Sequence, residues 1–377
     1  MACCALCDAP IDAENDSKEH LISNAIGGRW KVPGVLCIAC NSKAGDSWDG
    51  ALAKQLNPLS LLFGIVRERG EPPSQDFNTV GGQALRLHAN GTAQPSRPTY
   101  QERPTEEGAH IHLVARDLSE AKRMLKGVAR KYPQVDSSVL LAHAQQVATY
   151  TDDYLHVPLS LGGPLAGRSL VKSALCLAVY RGVDAGACDH ARAYLRSDSA
   201  PACFGYYYAQ DLVLQRPANT VFHCVAVKGS AASGMLLGYV EFYSMLRVVV
   251  CLSDRYAGPD VSACHAINPL TGEELALAVD LSLTKAKVAS AYRYECVPPG
   301  SVERALDQVL PIAMEASLER EKERVLEEAT RYAFANCGAA PGETLTHEHL
   351  NKLSRLMAEK LAPFLVHLQR RISRAER

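Results

Sequence analysis

The sequence predicts an α+β fold with a small cysteine-bearing segment first, a central antiparallel sheet next and a helical C-terminus. The first 40 residues hold five of the 13 cysteines. Apolar runs typical of strands follow between residues 220 and 252, joined by turns rich in Gly and Ser. From residue 301 the chain has helical spacing. We expect four domains, comprising residues 1–60, 61–138, 139–295 and 296–377.

Composition excludes several classes of protein. The chain has 377 residues, 47% of them hydrophobic, which excludes a disordered protein. The formal charge of -1 excludes a protein-wide basic field, so contacts with nucleic acid must come from local patches. The apolar run 246–252 is too short to cross a bilayer, and the N-terminus lacks the pattern of a secretory signal. We therefore expect a cytoplasmic protein with no membrane partner.

Two C-x2-C pairs in the first segment predict a metal site. Cys4-Ala-Leu-Cys7 and Cys37-Ile-Ala-Cys40 each place two thiols in one turn, and two such turns complete a tetrahedral site for Zn²⁺. Cys3 is an alternative to Cys4 if the register differs by one residue. The zinc would be structural, because four thiolates leave no position for water.

The segment between the cysteine pairs predicts two short strands and a helix. Residues 19–22 are typical of a strand, Gly27-Gly28 of a loop, and residues 35–36 of a second strand that leads into Cys37. A helix is expected from Asn41 to Gln55, with its exit at Asn57-Pro58.

This order of elements resembles the HNH endonuclease family, in the subgroup whose ββα-metal hairpin is held by a C-x2-C pair at each side. The resemblance covers about 55 residues. The residues that carry it are Cys4, Cys7, Glu19-His20-Leu21-Ile22, Gly27-Gly28, Leu36-Cys37, Cys40-Asn41, Gly45 and Asp49.

The resemblance implies roles for five residues. His20 would be the general base, because a neutral imidazole titrates near physiological pH. Glu19 and Asn41 would bind a catalytic Mg²⁺ or Mn²⁺ through oxygen atoms. Asn24 would take the structural place of the family's middle Asn. Asp49 is either a partner of these groups or a solvated helix charge.

The connecting region predicts a hairpin at Asn90-Gly91, a strand over residues 109–116 and a helix capped by Asp117 or Ser119. The helix carries a basic cluster that is either a nucleic-acid contact or a solvated face. Its members are Lys122, Arg123, Lys126, Arg130 and Lys131. The terminal arginines Arg370, Arg371, Arg374 and Arg377 are a second basic candidate.

The rest of the chain predicts the sheet and the final helices. Residues 169–183 have helical apolar spacing, and strands are expected at 220–227, 235–242 and 247–252. A long helix follows from Ser301, in which Pro311 either introduces a kink or marks the true start. The last helix is expected over residues 346–372.

The leading hypothesis is a metal-dependent HNH endonuclease that hydrolyses DNA, as an effector of restriction or phage defence. A homodimer would let it cut both strands, and its trigger or partner protein is unknown. One alternative is a zinc-stabilised module that binds nucleic acid without catalysis. Another is a regulator with a degenerate HNH domain, whose middle domain senses a ligand.

Overall fold

The structure is a computed structural model that describes residues 2–106, 108–145, 147, 149–151 and 153–375. Arg377 and the side chain of Arg374 lie outside this description. Two compact units are present, each built from two stretches of chain. Unit 1 comprises Met1–Pro73 and Pro158–Ser317, and unit 2 comprises Ser74–Val157 and Leu318–Arg377. The α+β class is confirmed, whereas the expected four domains stay a prediction.

The strands are short in the N-terminal segment and longest in the central sheet. In chain order they are β1 Glu19–His20, β2 Lys31–Val32, β3 Gln75–Thr79, β4 Ala84–Leu87, β5 Ala93–Pro95, β6 Thr99–Thr105, β7 Gly108–Val114, β8 Leu155–His156, β9 Phe204–Tyr206, β10 Val213–Leu214, β11 His223–Ser230, β12 Met235–Phe242, β13 Leu246–Ser253, β14 Val261–Ile267 and β15 Ala278–Val279.

The α-helices are longest at the C-terminus. In chain order they are α1 Ile38–Ala44, α2 Gly50–Phe63, α3 Leu118–Lys131, α4 Ser137–Ala142, α5 Pro164–Tyr180, α6 Asp189–Arg196, α7 Lys285–Tyr292, α8 Ser301–Asn336 and α9 His347–Ala375. Short 3-10 turns occur at Asn24–Ile26 and Ala185–Ala187, and a π-helical turn at Gly45–Asp49 joins α1 to α2. Among the residues described, no helix has both the length and the apolar character needed to cross a membrane.

The hairpin near the N-terminus pairs different residues from those expected. β1 pairs with β2 in antiparallel register, so that His20 lies opposite Lys31. The expected second strand at residues 35–36 is wrong, because these residues form a bend. Pro33 has no N–H to donate and Gly34 has a positive φ of 72°, so the extended chain ends after Val32.

The helical region is longer at both ends than the expected range from Asn41 to Gln55. α1 begins at Ile38, and α2 continues through Asn57-Pro58 and ends at Phe63, where Gly64 caps it with a φ of 66°. The predicted exit at Asn57-Pro58 is therefore wrong. A proline inside a helix costs about 3 kcal/mol, but the residues on both sides of Pro58 are buried, and their packing outweighs that cost.

The central sheet of unit 1 has five antiparallel strands in the order β14-β11-β12-β13-β9. The expected strand over residues 235–242 is confirmed by β12, and the other two predicted strands overlap β11 and β13. Val225 and Val227 belong to one core cluster, whereas Cys224 and Ala226 belong to another. Because neighbouring residues of a strand point to opposite faces, both faces of the sheet are covered.

The N-terminal segment shares its hydrophobic core with the central sheet. Leu21, Leu36 and Leu52 belong to the same cluster of buried residues as Leu170 of α5 and Val225 of β11. α5 crosses β11, β12 and β13, and is buried over almost its whole length. The segment that carries the cysteines is therefore packed as a part of unit 1.

Unit 2 contains a four-stranded sheet in the order β5-β4-β3-β8 and the separate hairpin of β6 and β7. The predicted turn at Asn90-Gly91 joins β4 to β5, and the predicted cap Asp117 accepts a hydrogen bond from the backbone N–H of Glu120 in α3. α9 confirms the last predicted helix, and Pro311 lies inside α8.

Candidate functional site

The four predicted zinc ligands lie together. The Sγ atoms of Cys4, Cys7, Cys37 and Cys40 all lie within 4.8 Å of one another, and those of Cys7 and Cys37 are 3.7 Å apart. Tetrahedral Zn²⁺ with Zn–S bonds of ~2.3 Å requires S···S distances of about 3.8 Å. Cys3 is exposed and does not belong to the group. The cysteine cluster therefore fits a structural zinc ion bound through Cys4 rather than Cys3.

The electrostatics of the cluster also favour a bound cation. Burial alone would raise the pKa of the Cys4 thiol, but hydrogen bonds from the backbone of Cys37, Cys7 and Leu6 outweigh it and lower that pKa to about 7. Burial and the neighbouring thiols raise the pKa of Cys40. Four thiolates at these distances repel one another, so all four ionise together only around a metal ion.

His20 faces a carboxylate that the sequence did not indicate. Its Nε2 lies 3.0 Å from Oε2 of Glu68, and the same oxygen accepts a hydrogen bond from Nζ of Lys31 at 2.7 Å. The backbone N–H of Glu68 donates to Oδ1 of Asn24 at 2.9 Å. Hydrogen bonds from Lys31 and His20 lower the pKa of Glu68 to about 2, so it is a carboxylate at neutral pH.

The contact with Glu68 determines the form of the His20 ring. A carboxylate can only accept, so the neutral ring carries its proton on Nε2 and has its lone pair on Nδ1. The His20 side chain is 27% exposed, and within the described residues it makes no other hydrogen bond. His20 therefore has an unprotonated Nδ1 on a partly exposed ring, as a general base requires.

Glu19 points away from this contact and binds a buried lysine. The Lys172 ammonium donates to Oε1 of Glu19 and, at 2.5 Å, to Oδ2 of Asp49. Ser169 donates to the other oxygen of Asp49. Only 2% of the Lys172 side chain is exposed, compared with 4% of Glu19 and 18% of Asp49. Asp49 is thus a half-buried partner of Lys172 and not a solvated helix charge.

The charge of Lys172 depends on these two carboxylates. Burial alone would lower the pKa of Lys172, but Asp49 and Glu19 outweigh it and raise that pKa above its usual value. Burial raises the pKa of Glu19, and the Lys172 ammonium counters that shift. The lysine is therefore charged at neutral pH, and the two carboxylates share one cation.

Asn41 lies in α1 directly after Cys40 and is half-buried. Within the described residues its side chain makes no hydrogen bond, and its amide oxygen is a donor type that a hard cation accepts. Glu19 also offers the oxygen donors that Mg²⁺ or Mn²⁺ prefers, but Lys172 already binds Oε1. The roles of Glu19 and Asn41 as ligands of a catalytic ion stay predictions, as does that of His20 as a base.

His223 fixes the loop between β1 and β2 from the central sheet. Its Nε2 donates to the carbonyl of Ile26 at 2.8 Å, and its Nδ1 accepts from the backbone N–H of Tyr243 at 2.9 Å. The loop is also closely packed, because a Cβ on Gly28 would lie 1.8 Å from the carbonyl oxygen of Ile22. Glycine is required here by the close approach of two backbone segments.

The predicted basic cluster lies on α3 in unit 2. All five of its side chains are exposed, and Lys131 donates to Glu102 at 2.7 Å. Its role in binding nucleic acid stays a prediction. The members are Lys122, Arg123, Lys126, Arg130 and Lys131.

Sequence reasoning missed Glu68 and Lys172. The sequence does indicate that Lys172 has a special role, because it is the one charged residue in the apolar run Ser169–Tyr180. A lysine at the centre of a buried helix needs a carboxylate partner. Nothing in the sequence singles out Glu68, since it lies in a charged loop where acidic residues are common.

Comparison with known proteins agrees with this geometry. The HNH endonuclease family matches residues 4–57, the stretch that contains the four cysteines, His20 and Asn41. No curated protein and no solved structure matches the chain. The family match supports a nuclease-type function in general terms. Residues 4–57 of this chain are an HNH endonuclease domain.

Proposed function

We propose that this protein is a metal-dependent endonuclease that hydrolyses phosphodiester bonds of DNA, with His20 as its general base. The pairing of His20 with Glu68 carries the proposal, because it leaves Nδ1 unprotonated on a partly exposed imidazole ring. The second support is the family match over the same residues.

In this mechanism Nδ1 of His20 takes a proton from the attacking water. The ring then becomes an imidazolium, and the Glu68 carboxylate stabilises its positive charge through the bond to Nε2. Lys31 and Asn24 hold Glu68 in place, through its side chain and its backbone respectively. A bound Mg²⁺ or Mn²⁺ would supply positive charge to the phosphate and to the leaving 3′ oxygen.

The structural zinc has a separate task in this proposal. It would fix Cys37 and Cys40, and through them the start of α1, where Asn41 follows directly. A small domain gains rigidity in this way without a large core of its own. Asn41 and Glu19 are the ligands of the catalytic ion that the family resemblance implies.

The setting of the reaction also remains a proposal. We infer a cytoplasmic enzyme that acts in restriction or phage defence, and a dimer where both strands are cut, because one HNH centre cuts one strand at a time. We expect phage plating efficiency to fall in cells that express the full chain. The fall should be absent in cells that express the His20→Ala variant.

The test is a cleavage assay on supercoiled, linear and single-stranded DNA with Mg²⁺ or Mn²⁺, with and without EDTA. We expect nicking that EDTA abolishes, and a loss of about 10²–10⁴-fold in rate for His20→Ala. His110→Ala, an exposed histidine of β7, is the matched control and keeps full activity. Absence of metal-dependent cleavage on every substrate, from protein that is folded and zinc-loaded, would reject the proposal in favour of a zinc-stabilised binding module.

A further inference from the structure

The buried ammonium of Lys172 lies between the hairpin and the π-helical turn of the HNH domain. It contacts Glu19 of β1 on one side and Asp49 of the turn on the other. Lys172 itself belongs to α5, far outside residues 4–57. A cation from another part of the chain is therefore built into the domain, at one of its predicted ion ligands.

We propose that Lys172 is the resident cation of this carboxylate pair, and that Glu19 therefore lies outside the ligand set of the catalytic ion. The inference rests on the proposed function and revises one of its ligands. Asn41 remains as a predicted ligand, because no side-chain hydrogen bond engages it within the described residues.

The geometry opposes a divalent ion at Glu19. Such an ion would lie beside the Lys172 ammonium, and the two positive charges would repel each other strongly in a poorly solvated site. Lys172 cannot move aside into water, because only 2% of its side chain is exposed. Displacing it would also leave Asp49 without its cation, at a large cost in free energy.

The same contact gives Glu19 and Lys172 a positioning role. Successive residues of a strand point to opposite faces, so Glu19 faces α5 while His20 faces Glu68. Anchoring Glu19 to Lys172 therefore fixes the strand that aims His20. In this view the helix α5, which lies outside the family match, completes the centre.

Mn²⁺ binding by the full-length, zinc-loaded protein tests the inference, with electron paramagnetic resonance of free Mn²⁺ as the readout. The variants are Glu19→Gln, Lys172→Met and the double variant. Asp46→Asn, an exposed acid in the same π-helical turn, is the matched control. Circular dichroism establishes that each variant is folded.

We expect the Mn²⁺ dissociation constant of Glu19→Gln to stay within about twofold of the parent, whereas loss of a true ligand weakens metal binding more than about tenfold. Lys172→Met should create a site at least about tenfold tighter, since two carboxylates lose their cation, and adding Glu19→Gln should remove that site. Tenfold weaker binding by Glu19→Gln, or no tighter site in folded Lys172→Met, would overturn the inference. If Lys172→Met does not fold, the Glu19→Gln result decides alone.

Cleavage by the parent protein is measured separately, so the two proposals fail separately. A parent that cleaves DNA while Glu19→Gln loses Mn²⁺ affinity overturns only the inference. A parent that never cleaves, while Lys172→Met gains a Mn²⁺ site, overturns the proposed nuclease and leaves Lys172 as the resident cation.

Discussion

Nε2 of His20 lies 3.0 Å from Oε2 of Glu68, across a separation of 48 residues in the chain. The contact gives the imidazole a defined tautomer and orientation. Glu68 is in turn held by Lys31 and by the side chain of Asn24. Asn24 thus contacts the backbone beside the carboxylate that faces His20, and the structural role expected of it stays a prediction.

Glu68→Gln is expected to lower kcat by about 10- to 100-fold with little change in KM, because the amide cannot stabilise the imidazolium that forms in the transition state. Cleavage rates as a function of DNA concentration measure both constants. Glu71→Gln, an exposed acid of the same segment, is the control. Equal losses of kcat in both variants would show that the negative charge of the loop, and not the contact with His20, accounts for the effect.

Cys37→Ser is expected to abolish zinc binding and to lower the melting temperature, because binding free energy at a structural zinc site is folding free energy. Cys3→Ser is expected to keep one zinc per chain, since Cys3 lies outside the cluster. Metal analysis by mass spectrometry and calorimetry are the measurements. Zinc loss from Cys3→Ser would show that the register of the first pair is shifted.

Lys172→Met is expected to lower the free energy of unfolding of unit 1 by about 3–5 kcal/mol, because it leaves the buried carboxylate of Glu19 and the half-buried carboxylate of Asp49 without a cation. Urea denaturation followed by tryptophan fluorescence measures it, since Trp30 and Trp48 both lie in unit 1. Adding Glu19→Gln and Asp49→Asn should restore much of the loss. Lys54→Met, at an exposed lysine of α2, should change little.

His223 is expected to make unit 1 sensitive to acid. Burial lowers the pKa of His223 to about 4, whereas the unfolded chain has a value near ~6.5. As the pH falls, the unfolded state therefore binds the proton first. The contribution of neutral His223 to the free energy of unfolding is complete above a pH of ~6.5 and is lost as the pH falls toward 4. We expect unfolding at pH 5.5 to cost about 1 kcal/mol less than at pH 7.5. An equal pH dependence in His223→Gln would contradict this assignment.

Local patterns in the sequence predicted the local features of the structure well. The cysteine pairs, the strand at residues 235–242 and the Asp117 cap each depend on residues close together in the chain, and each is confirmed. Pro58 predicts the end of a helix because the cost of a proline is local, whereas the burial that outweighs that cost comes from tertiary packing.

The interior of the site was less predictable for the same reason. Glu68 reaches His20 over 48 residues, and Lys172 reaches Glu19 over 153. The spacing of residues within a motif carries no information about partners at such distances. The apolar run around Lys172 shows that the lysine needs a partner, but it does not show which carboxylate provides it.

The dependence of the HNH segment on α5 and β11 bears on its transfer to other proteins. Lys172 donates to the carboxylate of Asp49, and His223 donates to the carbonyl of Ile26. Arg192 of α6 donates to the carbonyl of Ala5 at 2.9 Å. A fragment cut near residue 60 would expose the leucines of a shared interior and leave acidic groups unneutralised. Residues 4–57 are therefore not an independently transferable unit, because their packing and their charge balance depend on later parts of the chain.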